Sequence, residues 1–228
     1  MLKTAAIILA RGGSKGIPNK NIIDFCGKPL LAWTIEHCLN AGIEMVYVSS
    51  DSDEILNIGE QFGANRIKRP KEFSDDKASS ESAWLHALET IETENGTVDW
   101  VLTPQVTSPI RSSNDILSAL KIARSGKFDS ILSVVEIEDF FIWGKDKENK
   151  IQSLNYDYNN RKRRQVIDKN YLENGSFYLF KPEVLRTYNN RLGGKISVSV
   201  MDKFKMFQID NRQDLKLCEV IMTGYGLI

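Results

Sequence analysis

The residues best suited to chemistry lie near the start of the chain, in Arg11-Gly12-Gly13-Ser14-Lys15-Gly16-Ile17-Pro18-Asn19-Lys20-Asn21. The stretch holds three glycines, two lysines, one arginine and no acidic residue. Glycine lets backbone N–H groups turn toward an anion and approach it closely, while the cations supply charge. Arg11, Lys15 and Lys20 are spread over ten residues, which suits a long triphosphate better than a single phosphate. The loop is not a Walker A motif, because Ile17 follows Gly16 where lysine is required. Nor does it have the GxGxxG spacing of a dinucleotide fingerprint. The competing reading is a solvated glycine turn.

The elements around the loop must hold it in place. Ala5-Ala6-Ile7-Ile8-Leu9-Ala10 is almost wholly apolar and short, which predicts a buried strand of a parallel sheet. A strand feeding such a loop is where open α/β sheets hold phosphates. A helix is expected over Pro29 to Leu39, with His37 in a structural role, then a strand over Met45 to Ser50. Asp51-Ser52-Asp53-Glu54 reads as a capping box for a helix from Ile55 to Phe62, with capping the expected job of Asp51. A turn and short strand follow at Gly63 to Ile67. A polar loop, Lys68 to Ser80, leads into a helix over Glu81 to Glu94 that carries His86 in an ordinary mid-helix place. Asp99 to Gln105 reads as a strand, Ser112 to Asp115 as a cap for a helix from Ile116 to Arg124, and Phe128 to Val135 as a further strand. This βαβαβαβαβ grammar predicts an α/β fold with a doubly wound, mostly parallel sheet.

After Glu136 the grammar changes. Phe140-Phe141-Ile142-Trp143 is apolar, Asn149 to Asn160 is polar, and Arg161-Lys162-Arg163-Arg164-Gln165 is a basic run. A strand then ends at Tyr178-Leu179-Phe180, a short helix starts at Pro182, Ile196 to Met201 alternates as a strand, and Leu215 to Met222 reads as a closing helix.

Composition limits the functional classes. The chain has 228 residues, 42% of them apolar, enough for one substantial core and a single domain. Thirty basic residues balance thirty acidic ones, which argues against a general nucleic-acid or membrane-surface binder. No apolar run approaches a membrane span, and the N-terminus lacks a signal-peptide pattern. Cys26, Cys38 and Cys218 have neither CxxC nor zinc spacing and read as buried thiols of a cytoplasmic protein.

Leu9 to Gly16 followed by Lys20-Asn21 resembles the signature of the CMP-sialic acid synthetases (acylneuraminate cytidylyltransferases), which transfer CMP from CTP to a nine-carbon 2-keto sugar acid. Further matches fall in order along nearly the whole chain: Arg69-Pro70 with Asp76-Lys77-Ala78-Ser79-Ser80; Gln105 with Thr107-Ser108-Pro109 and Arg111; Arg164-Gln165 with Asn174-Gly175-Ser176-Phe177-Tyr178; and Asp210 with Asp214. The resemblance implies a Rossmann-like nucleotidyltransferase fold over 1–228, with an inserted dimerisation arm at 138–172 that swaps across a homodimer. It implies that Ala10, Arg11, Gly12, Gly13, Ser14, Lys15, Lys20, Asn21, Arg69, Ser79 and Ser80 bind the nucleotide, with one serine capping a helix. It also implies that Gln105, Thr107, Arg164, Gln165, Asn174 and Tyr178 bind the sugar acid. Arg11, Lys20 and Asp210 are then the catalytic set, and Asp210 with Gln208 holds Mg²⁺.

The chain departs from the family pattern in three places. Gln208 replaces an aspartate, giving a ligand oxygen without charge; Asp214 can simply support the closing helix. Val106 replaces a proline. Arg191-Leu192-Gly193-Gly194 stands where sialic-acid-specific members carry paired phenylalanines, which points to a relative of sialic acid such as a deaminated, legionaminic or pseudaminic type. The alternatives are a CMP-Kdo-type synthetase, a non-catalytic nucleotide-binding module, and a nucleic-acid binder using Arg161 to Arg164.

Overall fold

A computed structural model describes residues 2–14, 16–75, 78–138, 140–163 and 169–228. The implied site residues Lys15, Arg164 and Gln165 lie outside the described residues. The elements follow in order as β1 (Thr4–Leu9), β2 (Asp24–Phe25), β3 (Lys28–Pro29), α1 (Leu30–Asn40), β4 (Met45–Ser50), α2 (Asp53–Gln61), β5 (Asn65–Lys68), α3 (Ser80–Asn95), β6 (Trp100–Pro104), α4 (Ser113–Arg124), β7 (Ser130–Ile137), β8 (Trp143–Lys145), β9 (Ile151–Ser153), β10 (Asn170–Phe180), α5 (Pro182–Tyr188), β11 (Ile196–Met201) and α6 (Arg212–Gly224).

Among the described residues one seven-stranded sheet runs in the order β11-β7-β10-β6-β1-β4-β5. Its pairs are parallel except for β10, which runs antiparallel to both β6 and β7. The chain thus steps from β1 outward through β4 and β5, then crosses back to β6. That reversal leaves a crevice beyond the carboxyl ends of β1 and β6, the place where open α/β sheets bind ligands.

The apolar run of β1 explains its central place. Ala5 to Ile8 are fully buried. Alternation sends Ala6 and Ile8 into a core shared with α1, α2, α4 and α6, while Ala5 and Ile7 meet α3 and α5 on the other face. Helices cover both faces, as the sequence grammar requires.

Capping chemistry fixes several helix starts. Ser112 and Asp115 form a reciprocal capping box for α4, and Asn211 and Asp214 form one for α6. The box on α6 starts that helix three residues before the expected Leu215. The expected capping job of Asp51 is corrected: Ser52 is the N-cap of α2, accepting from the Ile55 N–H, and Asp51 points elsewhere. The strand through Tyr178 is also longer than its apolar end suggests. It begins at Asn170 and changes register between Glu173 and Tyr178, a bulge that re-aims the chain.

Within 138–172, β8 and β9 form a small antiparallel hairpin. Its rings cluster, with Phe141 4.3 Å from Tyr156 and Trp143 5.4 Å from Tyr158. Cys26, Cys38 and Cys218 are free, with the last two thiols pushed up to about 12, chiefly by burial. Among the described residues no helix is long and apolar enough to cross a membrane.

Candidate active site

The glycine loop leaves β1 under tension from three tethers. Ala10 is buried, and its N–H donates to the Ser49 carbonyl at 3.1 Å, continuing the β1–β4 ladder past the end of the strand. The Gly12 N–H donates to Asp51 Oδ1 at 3.0 Å. The Arg11 carbonyl accepts from the buried Asn21 amide at 2.9 Å. Asn21 sits in a short 3-10 turn, Lys20–Ile22, which is entered through Asn19 in the left-handed region at φ 53°. At the far end of the loop Gly16 packs against backbone, because a Cβ there would lie only 2.3 Å from the Asp210 carbonyl oxygen. Glycine is therefore required by contact, since no side chain fits that approach. Gly13 faces open space.

The Lys20 ammonium reaches the carboxylate segment near the end of the chain. It donates to Asp210 Oδ1 at 3.1 Å and to the Ile209 carbonyl at 3.0 Å. That segment is itself pinned, with the Ile209 N–H on the Thr107 carbonyl at 2.8 Å. Gln208 donates its amide N–H to the Asn174 carbonyl at 2.6 Å. Asp214 accepts from the N–H groups of Asp210 and Asn211, both at 3.0 Å, so it supports the start of α6.

Opposite the loop, a cleft of about 400 Å³ opens between the carboxyl ends of the strands and the start of α3. Arg11, Ser14, Lys20, Arg69, Ser80 and Gln105 all line it. Ser79 caps α3, its hydroxyl accepting from the Ser82 N–H at 3.1 Å, while Ser80 begins the helix. Ser79 thus supplies the expected cap, and both serines line the cleft.

Arg69 is the strongest electrostatic feature of this cleft. It is only 5% exposed, its N–H is tied to the Ser50 carbonyl at 2.8 Å, and its guanidinium Nε and Nη2 have no hydrogen-bond partner among the described residues. Burial lowers its pKa, Asp51 opposes that fall, and Arg11 adds to it. A buried guanidinium with open donors is costly until an anion meets it.

On the Gln105 side of the cleft, the backbone of that residue is held at both ends. Its N–H donates to Ser176, and its carbonyl accepts from the Arg111 guanidinium. Asn174 is buried with its amide fully engaged by Ser133, Ser176, Met201 and Lys205, so it braces this wall from within. Tyr178 donates its hydroxyl to Glu173, and burial followed by that bond raises its pKa to about 12. The Arg191 guanidinium stacks over the Tyr178 and Trp84 rings, 4.8 Å from each, and pairs with Glu81 at 2.9 Å.

A family model described as Cytidylyltransferase matches residues 5–219. The chain belongs to the cytidylyltransferase family. It is accordingly a nucleotidyltransferase enzyme. A pseudaminic acid cytidylyltransferase of Campylobacter jejuni is 33% identical over 96% of each chain. An N-acylneuraminate cytidylyltransferase of Escherichia coli is 35% identical over 96% of this chain and 52% of its own. A CMP:2-keto-3-deoxy-manno-octonic acid synthetase solved in complex with CTP superposes with a TM-score of 0.73, over 98% of this chain and 99% of that one, at 16% identity. That last likeness speaks to the fold.

The family assignment makes the missed residues easier to interpret. Phe73 lines the cleft, and Asp51 holds the loop that borders it, and neither was read as a site residue from sequence. The position of Asp51 at a strand's carboxyl end was a usable signal, and the local capping pattern hid it. Among the described residues no three His, Cys, Asp or Glu side chains gather as a metal cluster.

Proposed function

We propose that this cytidylyltransferase transfers CMP from CTP to the anomeric hydroxyl of a nine-carbon 2-keto sugar acid and releases pyrophosphate. The observation that carries the reading is Arg69: a buried guanidinium with two open nitrogens, on a cleft shared with Arg11 and Lys20. Such a site has positive charge and donors to spare, and a triphosphate supplies the matching oxygens. The pseudaminic relative matches this chain end to end, so a pseudaminic-type acid heads the candidates.

Displacement at phosphorus is mostly positioning and charge neutralisation. Arg11, Lys20 and Arg69, with Lys15, would hold the triphosphate, and the backbone at Gly13 would line its path, since the Gly12 N–H is spent on Asp51 and the Ser14 N–H on the Gly12 carbonyl. Asn21 serves by holding the Arg11 carbonyl, and Ser80 faces the nucleotide. Gln105 has an amide that both donates and accepts, as sugar hydroxyls require. Thr107, Asn174 and Tyr178 brace and border that wall, and Arg164 with Gln165 would meet the acid's carboxylate.

The residues near Asp210 fit Mg²⁺ of the kind that arrives on a nucleotide. Gln208 spends its amide N–H on Asn174, which turns its carbonyl oxygen into the available donor. Asp210 is an exposed carboxylate. One charged and one neutral oxygen suit a hard cation that keeps waters and phosphate oxygens as its other ligands. When bound, Mg²⁺ would neutralise phosphate charge and lower the pKa of the attacking hydroxyl.

The arm supports assembly with a second copy. Phe140, Ile142, Trp143, Ile151, Leu154 and Tyr158 are exposed on or beside it. Apolar surface of that density is normally covered. A homodimer in solution, measured by light scattering and lost on trimming 143–153, would support it.

The test of the reaction is pyrophosphate release from CTP and Mg²⁺ against a panel of eight- and nine-carbon keto acids. Release with a nine-carbon acid is expected. Release with the eight-carbon acid alone, or with none of them, overturns the reading.

A further inference from the structure

We propose that Asp51 is a positioning residue for the triphosphate, anchoring the glycine loop through the Gly12 N–H at the strand end whose Ser50 carbonyl also holds the Arg69 backbone. The proposal deepens the function given above and rests on it. Asp51 follows the last residue of β4, next to the point where β1 releases the loop. Main-chain pairing between the two strands runs through Leu9 and Ser49 and is continued once by the Ala10 N–H. Beyond that point the ladder is carried by a side chain, with the Gly12 N–H 3.0 Å from Asp51 Oδ1.

Asp51 is itself held rigid. Its carbonyl accepts from the Lys68 ammonium at 3.1 Å. The turn after it is closed by the Ser52 N–H on Ser50 Oγ at 3.1 Å, and Ser52, not Asp51, caps α2. The absence of a side chain at Gly12 matters here, since a Cβ would press on Ser52 Cβ at 3.3 Å. On the other side, the Arg69 N–H bonds to Ser50, directly before Asp51. The end of β4 thus ties down both the glycine loop, through the Asp51 carboxylate, and the Arg69 backbone, through the Ser50 carbonyl. Without that carboxylate, the loop would lose its tether at Gly12, and a less preorganised loop binds an anion less tightly.

The roles of acceptor and charge are separable. Asp51→Asn keeps an oxygen that can accept from Gly12, whereas Asp51→Ala removes it. Calorimetric titration of the full-length protein with CTP and with inorganic tripolyphosphate is the experiment, with melting temperatures recorded for each variant. The expected result is that Asp51→Ala weakens both ligands about tenfold while melting within a few degrees of the wild type. Asp51→Asn should recover affinity to within about threefold. The anchor role is overturned if Asp51→Ala binds as the wild type does, or if Asp51→Asn is as weak as Asp51→Ala. If the wild type binds tripolyphosphate but not CTP, the cytidine reading fails while the anchor is still judged on tripolyphosphate. Wild-type binding of neither ligand overturns both.

Discussion

Lys20 and Asp210 are joined across 190 residues of sequence by an ion pair of 3.1 Å, and the same ammonium holds the Ile209 carbonyl at 3.0 Å. The phosphate loop and the carboxylate segment are therefore one assembly, closed further by the contact of Gly16 on the Asp210 backbone. The Asp210 side chain is 74% exposed, so the pair itself adds little to stability. Lys20→Ala is expected to lower turnover by at least ~100-fold while the melting temperature stays within a few degrees, since removing a charge aimed at developing phosphate charge costs about 3 kcal/mol. Steady-state kinetics beside a thermal melt checks it. Near-normal turnover would sink the phosphate assignment of Lys20.

Much of this architecture could be read from local chemistry. The apolar run of β1, the glycine loop and the Ser79-Ser80 pair are local signals, and the structure places each where it was expected. What stayed hidden depends on partners far away in sequence. Asp51 looks like a capping residue in its own neighbourhood, and only the parallel pairing of β1 with β4 brings Gly12 to it. Arg191 is another case: its meaning comes from Glu81 and Tyr178, on α3 and β10. The antiparallel insertion of β10 was likewise invisible, since strand direction is set by the whole sheet and not by alternation.

Gln208 marks a trade between structure and charge. Its amide N–H serves the Asn174 carbonyl, a job aspartate cannot do because an ionised carboxylate has no donor. Gln208→Asp is expected to cost about 1 kcal/mol of stability through that lost bond. The half-saturating Mg²⁺ concentration should fall several-fold, because a second charged oxygen joins Asp210. Urea unfolding and a magnesium titration of turnover measure the two effects. Unchanged stability would show that the Asn174 contact is incidental.

His37 predicts an acid limit to stability. It is half-buried on α1, its Nδ1 has no hydrogen-bond partner among the described residues, and the charges of Arg111, Lys28 and Lys205 act on it. Burial first, then those cations, hold its pKa well below 6.5 in the folded protein. Unfolded chains therefore bind this proton more readily, and the stabilisation present above the unfolded value is lost as pH falls below it. As pH falls through the unfolded value the contribution should therefore decline. Urea midpoints at about pH 7.5 and about pH 5.5 should converge in His37→Gln. A slope that persists unchanged in that variant would refute the assignment.

Arg111 is the brace behind the sugar-acid wall. It is 2% exposed and donates to Ser176 O at 2.8 Å, Ser176 Oγ at 3.2 Å, Gln105 O at 3.3 Å and Thr34 Oγ1 at 2.9 Å. Burial brings its pKa down to about 10, with Cys38 and Asp115 opposing, so it stays charged at neutral pH. Its planar fork reaches across α1, β10 and the turn after β6, a span the single ammonium of lysine cannot cover. Arg111→Met strips the donor from buried Thr34 Oγ1 and Ser176 Oγ, while Ser176 O keeps the Gln105 N–H and Gln105 O the Ser108 N–H, and is expected to cost about 2 kcal/mol. Arg111→Lys should recover less than half of that. The loosened Gln105 backbone should also raise KM for the sugar acid more than KM for CTP, because the phosphate loop is tethered independently through Asn21 and Asp51. Equal rises in both constants would mean that the brace supports the whole cleft and not its sugar-acid wall.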